Sequence, residues 1–493
     1  MIDYTQYETT EAIPEASSMI ETFRAIGYSI EAAIADIIDN SISAGAENIW
    51  VNFDWKGSET WITIKDDGCG MSDSEIIEAM RPGCKNPLED RSSKDLGRFG
   101  LGLKTASFSQ CRKFSVISKK EGEESFYWTW DLDFVKESGK WELLRYLNDN
   151  EIFENQIMEL NSGTIVIWND IDRLVGNFNT EDQKALEKVT SIMKNVKNHL
   201  SMVFHRFIEN GNIKIHFQDR IVLAWNPFMA DHLKTQIHPD EYYENGKIKV
   251  KGYVLPHKDN LSKDLFEYGS GIKGWNEQQG FYIYRNERLL LAGDWLGLFR
   301  KEEHYKLARI QVDIPNSLDA EWQIDIKKSI ARPPLILRDQ LKSYAAKVRS
   351  QAVEVYRHKG KTVRILPGQK FIPFWKEHKK GDKWFYIINR EHPIIEKVRQ
   401  DAGSEPEKAI NILLRFIEET IPTKSIYIKE AEESDFQGKP FEGIHQEELR
   451  LLLKQMYDSL ILQGYSDSDA KSILINLEPF NHYPEYIASI VTV

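Results

Sequence analysis

Three polar side chains interrupt the apolar stretch "AIADIIDNSISAGA", residues 33–46: Asp36, Asp39 and Asn40. Asp36 and Asn40 are four apart, so on a helix they share a face. A carboxylate beside an amide oxygen can divide a task, one orienting water and the other holding a hard cation. Magnesium suits the second role, because it favours oxygen ligands and keeps its waters; one protein ligand plus phosphate oxygens suffices. The plain alternative is a solvated helix face with a capping Asp-Asn pair. A second string, Asp66-Asp67-Gly68-Cys69-Gly70, offers a carboxylate that can accept the amino hydrogen of adenine, with glycines that let a flat base approach the backbone. It reads equally as a tight turn. A third, Gly97-Arg98-Phe99-Gly100-Leu101-Gly102-Leu103-Lys104-Thr105, puts glycines before a helix start. Backbone N–H groups and the helix dipole there favour an anion, and Lys104 adds charge. Its spacing is neither that of the Gly-Lys-Ser/Thr phosphate loop nor that of the dinucleotide fingerprint. Gly163-Thr164 follows in "SGTIVIWND", with Thr164 expected near Asp66 and the base.

Elements must hold these strings in place. Residues 14–45 read as two helices broken at Gly27, the second with an apolar face of Ile30, Ala33, Ile34, Ile37, Ile38 and Ile42. "NIWVNFDW", "TWITIKDDG", "KFSVISKK", "YWTWDLDF" and "GTIVIWND" alternate like strands. "SDSEIIEAMR" reads as a helix capped by Ser72 or Asp73. The mixture lacks regular parallel spacing, so an α+β sandwich is expected, with helices on one face of a mixed sheet ending near Arg173. A second block starts with a helical run at Thr180 and continues through "NIKIHFQ", "IKVKGYVL", "GFYIYRNERLLL" and "ARIQVDIP", closing with a helix over 333–360. Beyond it come a basic loop and further helices.

A chain of 493 residues exceeds one core. No apolar run reaches the roughly 18–20 residues of a membrane span, and the N-terminus lacks a signal-peptide pattern. Cys69, Cys84 and Cys111 make neither a disulfide framework nor a zinc spacing, which fits a reducing cytoplasm. The net charge of −12 argues against coating nucleic acid with the whole chain. The charge is uneven, however: Lys327 to Lys383 holds 16 Lys and Arg against 4 Asp and Glu, while Asp401 to Val493 holds 8 against 17.

Taken in order, the strings resemble the GHKL superfamily of the gyrase B subunit, the ninety-kilodalton heat-shock chaperone, histidine kinases and MutL. "ADIIDN" is similar to its N box, and "DDGCGM" and "GRFGLGLKTAS" to its two glycine boxes. "IGYSIEAAIADIIDNSISAGA", "GRFGLGLKTAS" and "GFYIYRNERLL" most resemble the MORC ATPases and their prokaryotic relatives, over about residues 14–345. The resemblance implies a Bergerat-type ATP-binding α/β sandwich (1–175) and a transducer-like α/β domain (176–345); charge and helical pattern add a basic linker with a mostly helical, acidic C-terminal region (346–493). It implies ATP and Mg²⁺ as ligands: Asn40 on the metal, Asp66 on adenine with Gly68, Gly70, Met71 and Thr164 around it, and Gly97 to Thr105 around the triphosphate. Residues 71–96 would form a lid. Asp36 stands where hydrolysing members carry a glutamate that activates water; being one methylene shorter, it is compatible with slow turnover or with binding without turnover. Lys328, or Lys327, of "EWQIDIKKSIARPP" would reach the γ-phosphate.

In such proteins ATP acts as a clasp that closes a homodimer, here with residues 1–13 crossing to the partner. The basic stretch 327–383, with Tyr344, Tyr356, Phe371, Phe374 and Trp375, suits a nucleic-acid backbone. A DNA-associated clamp in a prokaryotic defence or restriction system, with partner proteins of that system, is the expectation. The alternative is a chaperone-like ATPase on protein clients, signalled by exposed apolar surface. A histidine kinase fits poorly, because the first histidine is His199, past the first domain.

Overall fold

The computed structural model describes residues 7–8, 10–25, 27–83, 102–174, 182–319, 321–324, 331–357, 372–380, 383–402, 404–422, 441 and 446–490. Residues 1–360 and 361–493 form two compact units.

The first unit opens with α1 (Ala16–Ala25) and α2 (Ile30–Ser43) on either side of Gly27, which takes φ +75°. The Ser29 hydroxyl caps α2 by accepting from the Ala32 N–H at 3.3 Å. β1 (Asn48–Asp54) and β2 (Trp61–Asp66) pair antiparallel. α3 (Asp73–Met80) starts at Ser72, whose N–H and hydroxyl both donate to the Glu75 carboxylate, at 2.7 and 2.8 Å. α4 (Gly102–Gln110), β3 (Lys113–Lys119) and β4 (Ser125–Asp131) follow. The strand expected over "YWTWDLDF" stops at Asp131, because that carboxylate accepts the N–H groups of Asp133 and Phe134 and so caps α5 (Leu132–Ser138). α6 (Asn150–Met158), β5 (Gly163–Asn169), α7 (Gln183–Val203), α8 (His205–Glu209), β6 (Lys214–Phe217) and β7 (Arg220–Ile221) complete this layer.

The seven strands run β4-β3-β5-β2-β1-β6-β7. All neighbours are antiparallel except β1 and β6. "NIKIHFQ", read with the second block, therefore belongs to the first sheet. β5 is buried on both faces: Val166 and Trp168 join the core under α1, α2 and α4, while Ile165 and Ile167 meet Phe153 and Ile157 of α6. Helices were expected on one face only; the short α6 covers part of the other.

The second sheet comprises β8 (Gln236–Ile237), β9 (Glu241–Tyr243), β10 (Ile248–Val254), β11 (Gly280–Arg285), β12 (Arg288–Asp294) and β13 (Ala308–Ile314), with α9 (Lys263–Ser270) between β10 and β11. Its order is β12-β11-β13-β10-β8, with β9 also on β10. α10 (Leu335–Arg357) packs on it through Leu337, Leu341, Tyr344 and Val348. Together they make a transducer-like layer. β11 and β12 form a hairpin whose two turn residues, Asn286 and Glu287, both have positive φ, +47° and +69°.

The second unit is mostly helical, with helices Pro393–Ala402, Ser404–Glu419, Gln446–Leu462, Asp467–Ile475 and Pro484–Ala488. Leu449, Leu453, Tyr457, Leu474 and Phe480 are among its core residues. A hairpin, Trp375–Lys380 with Lys383–Ile388, stands where a basic loop was expected.

Candidate nucleotide site

The C-terminal turns of α2 and the end of β2 carry the first two strings. Asn40 is exposed, whereas Asp36 and Asp39 are buried, their side chains 1% exposed. The helical spacing is as read, but the acids do not face water. The Tyr28 hydroxyl donates to Asp36 Oδ2 at 2.9 Å. Arg288, at the start of β12, donates through Nε to both oxygens of Asp39, at 2.9 and 2.8 Å, and its Nη2 lies 3.5 Å from Asp36 Oδ1. Residues 25–55 contain no lysine or arginine, so buried acids on α2 require a cation from elsewhere in the chain. That requirement is visible in the sequence; its supplier, 249 residues away, is not.

Asp66 ends β2 and is buried. It accepts the Ser41 hydroxyl at 2.7 Å and the Gly68 N–H at 3.0 Å. Burial raises its carboxyl above the ordinary range, against those two bonds, which favour the charged form. Asp67 points elsewhere: it accepts the backbone N–H groups of Glu47 and Asn48 at 2.8 Å and fixes the start of β1. The glycines fit close approach. A Cβ on Gly70, at φ +68°, would stand 1.9 Å from the Lys119 carbonyl oxygen, and one on Gly163 would stand 2.2 Å from that of Asp66. A Cβ on Gly68 would meet Ala44 and Asp66 Oδ1 at 2.9–3.1 Å.

Thr164 pairs across from Asp66 in the sheet, and its hydroxyl lies 2.8 Å from Ser118 Oγ. Ser118 Oγ also accepts the Met71 N–H at 2.9 Å, tying the turn after β2 to β3 and β5. Ser41, Ser118, Tyr28 and Arg288 are thus site-building residues not singled out by motif reading; Ser41 directly follows Asn40.

Of the third string, Gly97 to Leu101 lie outside the described residues. Gly102 opens α4, and a Cβ there would meet nothing within 4 Å. Leu103 is half-buried, and Lys104 and Thr105 are buried. The Lys104 ammonium donates to the Ala79 carbonyl at 2.8 Å, at the C-terminal end of α3. The other end of α4 is secured by Arg24, which donates to the carbonyls of Phe108 and Cys111 at 2.9 and 2.7 Å. Lys327 and Lys328, Cys84, residues 84–96 of the expected lid and much of the N-terminal segment also lie outside the described residues.

Among the described residues no cluster of three or more His, Cys, Asp or Glu is placed to hold a metal, and no helix is long and apolar enough to cross a membrane. The residues present fit a magnesium nucleotide in one respect each: an exposed amide oxygen at Asn40, a buried acceptor at Asp66, and glycines with no room for a side chain.

A nucleotide-binding α/β sandwich followed by a transducer-like layer defines the class, and residues 28–164 match the histidine kinase-, DNA gyrase B-, and HSP90-like ATPases. This segment is an ATPase domain of the GHKL type. The chain is similar to the chaperone protein HtpG of Rickettsia canadensis, 26% identical over 246 residues, 48% of this chain and 33% of that one. It is similar to the ATPase morc-1 of Caenorhabditis elegans, 32% identical over 90 residues, 18% of this chain and 10% of the other. A third relative is the DNA mismatch repair protein MutL of Chlamydia abortus, 31% identical over 105 residues, 20% of this chain and 18% of that one. The chain thus spans a third or less of the length of these relatives.

Proposed function

We propose that this protein binds Mg·ATP and hydrolyses it slowly, and that its ATP state gates association of two copies. The observation that carries the reading is α2 itself, which presents an exposed Asn40 while burying Asp36 one turn back and placing Ser41 on Asp66. Asn40 would hold the magnesium, and Asp66 would accept from the adenine amino group. Gly68, Gly70 and Met71, with Thr164 behind them, would line the base. Gly97 to Leu103 and the N-terminus of α4 would face the phosphates. Bound magnesium would neutralise phosphate charge. Asp36 is the candidate base, held on one side by Tyr28 and on the other by Arg288. Lys104 would join α3 to α4 beneath the phosphates, and Lys328 or Lys327 would approach the γ-phosphate.

Asp36→Ala tests the reading. It should leave affinity for a non-hydrolysable ATP analogue within about threefold while hydrolysis falls about a hundredfold or more. Hydrolysis at the parental rate would remove Asp36 as base.

In the finer reading, which follows the resemblance to the MORC-like ATPases, the closed dimer is a cytoplasmic clamp on DNA in a prokaryotic defence system. The basic composition of 327–383 supports this, and DNA affinity should fall steeply with salt. A chaperone-like role on protein clients has its own support. Ile412, Leu413, Phe416 and Ile417 of the helix Ser404–Glu419 are 59%, 60%, 66% and 41% exposed in the second unit. The likeness to HtpG also spans more of the chain than the others reported above. Salt-insensitive capture of an unfolded protein, without DNA binding, would favour that role.

A further inference from the structure

The β11–β12 hairpin is fastened to the ATPase layer more firmly than a surface hairpin needs to be. Tyr284 of β11 bonds through its hydroxyl to His205 Nε2 at 2.8 Å, and His205 Nδ1 lies 3.1 Å from Glu209. The Arg206 guanidinium lies 3.5 Å over the Tyr284 ring and pairs with Asp313 of β13. Across the turn, Arg288 enters the core beneath α2 with its side chain 4% exposed, between Asp39 and Asp36. Its Nη1 also donates to the Leu289 carbonyl at 3.1 Å, which fixes the fork. At the other end of the turn, Arg285 donates from Nε to Asp319 Oδ1 at 2.7 Å, both side chains buried. Asp319 in turn accepts the Ile324 N–H through its carbonyl at 3.3 Å, immediately before the segment that holds Lys327 and Lys328.

We infer that Arg288 is a positioning residue for the ATPase: carried by the second sheet, it fixes the turn of α2 that bears Asp36, Asp39 and Asn40, so the second sheet sets the geometry of hydrolysis. The inference rests on the proposed function of that turn. The main grip is on Asp39, one residue before the candidate metal ligand and three after the candidate base. A small rotation of this turn would misplace the base, and a misplacement of about 1 Å can cost a hundredfold in rate. Arginine suits the task because its planar fork reaches two carboxylates, which a lysine point charge does not. A displacement of the loop after Asp319 has a direct physical route to α2 through Arg285, the two-residue turn and Arg288.

Two variants keep the test clear of misfolding: Arg288→Lys, which retains the charge, and Asp39→Asn with Arg288→Gln, which removes the cation together with its chief anion. Hydrogen exchange in the nucleotide-free protein is read first. Amides of 30–43 should exchange faster in both variants, while those of 113–119 and 163–169 are unchanged. Calorimetry with adenylyl-imidodiphosphate and Mg²⁺ should give affinities within about threefold of the parent, with hydrolysis falling about ten- to a hundredfold. Unchanged exchange in 30–43, or parental hydrolysis in both variants, would overturn the inference. So would a loss of analogue affinity matching the loss of rate, since Arg288 would then serve binding. A parent that does not hydrolyse ATP would overturn the proposed activity instead, and the exchange measurement would still decide the role of Arg288.

Discussion

Ser41 of α2 donates its hydroxyl to Asp66 at the end of β2 across 2.7 Å, so the residue after Asn40 braces the carboxylate expected to read adenine. One helix therefore serves both ends of the proposed ligand. The bond favours ionised Asp66, while burial opposes it and raises the carboxyl. As pH falls through the raised value, Asp66 takes up a proton and ceases to be a full acceptor. Analogue affinity should therefore decline on acidification sooner than an ordinary carboxylate would dictate. Ser41→Ala removes a bond to the charged form and should move this decline to higher pH; calorimetry across pH checks it, and a profile that stays put removes Ser41 from the site. Asp66→Asn should weaken adenine nucleotides by roughly a hundredfold, through a mispaired buried group.

Asn40→Ala should abolish the magnesium-dependent part of nucleotide affinity. Titrations with and without Mg²⁺ should converge in the variant and differ in the parent. A persisting difference places the metal on other ligands.

Gly70 and Gly102 make a contrasting pair. Gly70→Ala forces a side chain to within 1.9 Å of a carbonyl oxygen at a positive φ. It should lower the stability of the ATPase domain by more than about 2 kcal/mol. Gly102→Ala meets nothing within 4 Å and lies in a helix, so stability should hold or rise by up to about 1 kcal/mol. Any loss of analogue affinity in Gly102→Ala then reports the approach of phosphate to α4. Thermal unfolding with calorimetry separates the two.

His392 gives the second unit its own acid sensitivity. It is fully buried, and burial pushes its imidazole down to about 4, below the roughly 6.5 of the unfolded chain. The unfolded state takes the proton first, so the contribution is complete above about pH 6.5 and lost as pH falls toward 4, on the order of 2–3 kcal/mol in all. His392→Gln should flatten that part of the stability profile in chemical unfolding across pH; an unchanged slope would place the sensitivity elsewhere.

Local pattern made much of the framework around the candidate site legible. The spacing of Asp36 and Asn40, the break at Gly27, the Ser72 cap and the strands flanking Asp66 all rest on interactions within a few residues. What escaped is long-range. Arg288 lies 249 residues from Asp39, and no periodicity encodes which arginine answers a buried acid. β6 looks like any alternating strand, and its parallel pairing with β1 follows from where α7 returns the chain. "YWTWDLDF" was misread beyond Asp131 because aromatic, β-favouring residues masked a cap. The hairpin from Trp375 to Ile388 was hidden among lysines that read as loop.

The parallel pairing of β6 on β1 also constrains how this protein can be divided. A fragment trimmed at residue 174, after β5 but before β6, would strip β1 of its outer neighbour. Seven residues carrying Ile49, Val51 and Phe53 would then offer open backbone hydrogen-bonding groups to other molecules, the situation in which sheets self-associate. An excision of the ATPase layer must therefore keep β6 and β7 through Ile221, and it must also keep the β11–β12 hairpin that answers the buried Asp36 and Asp39 with Arg288.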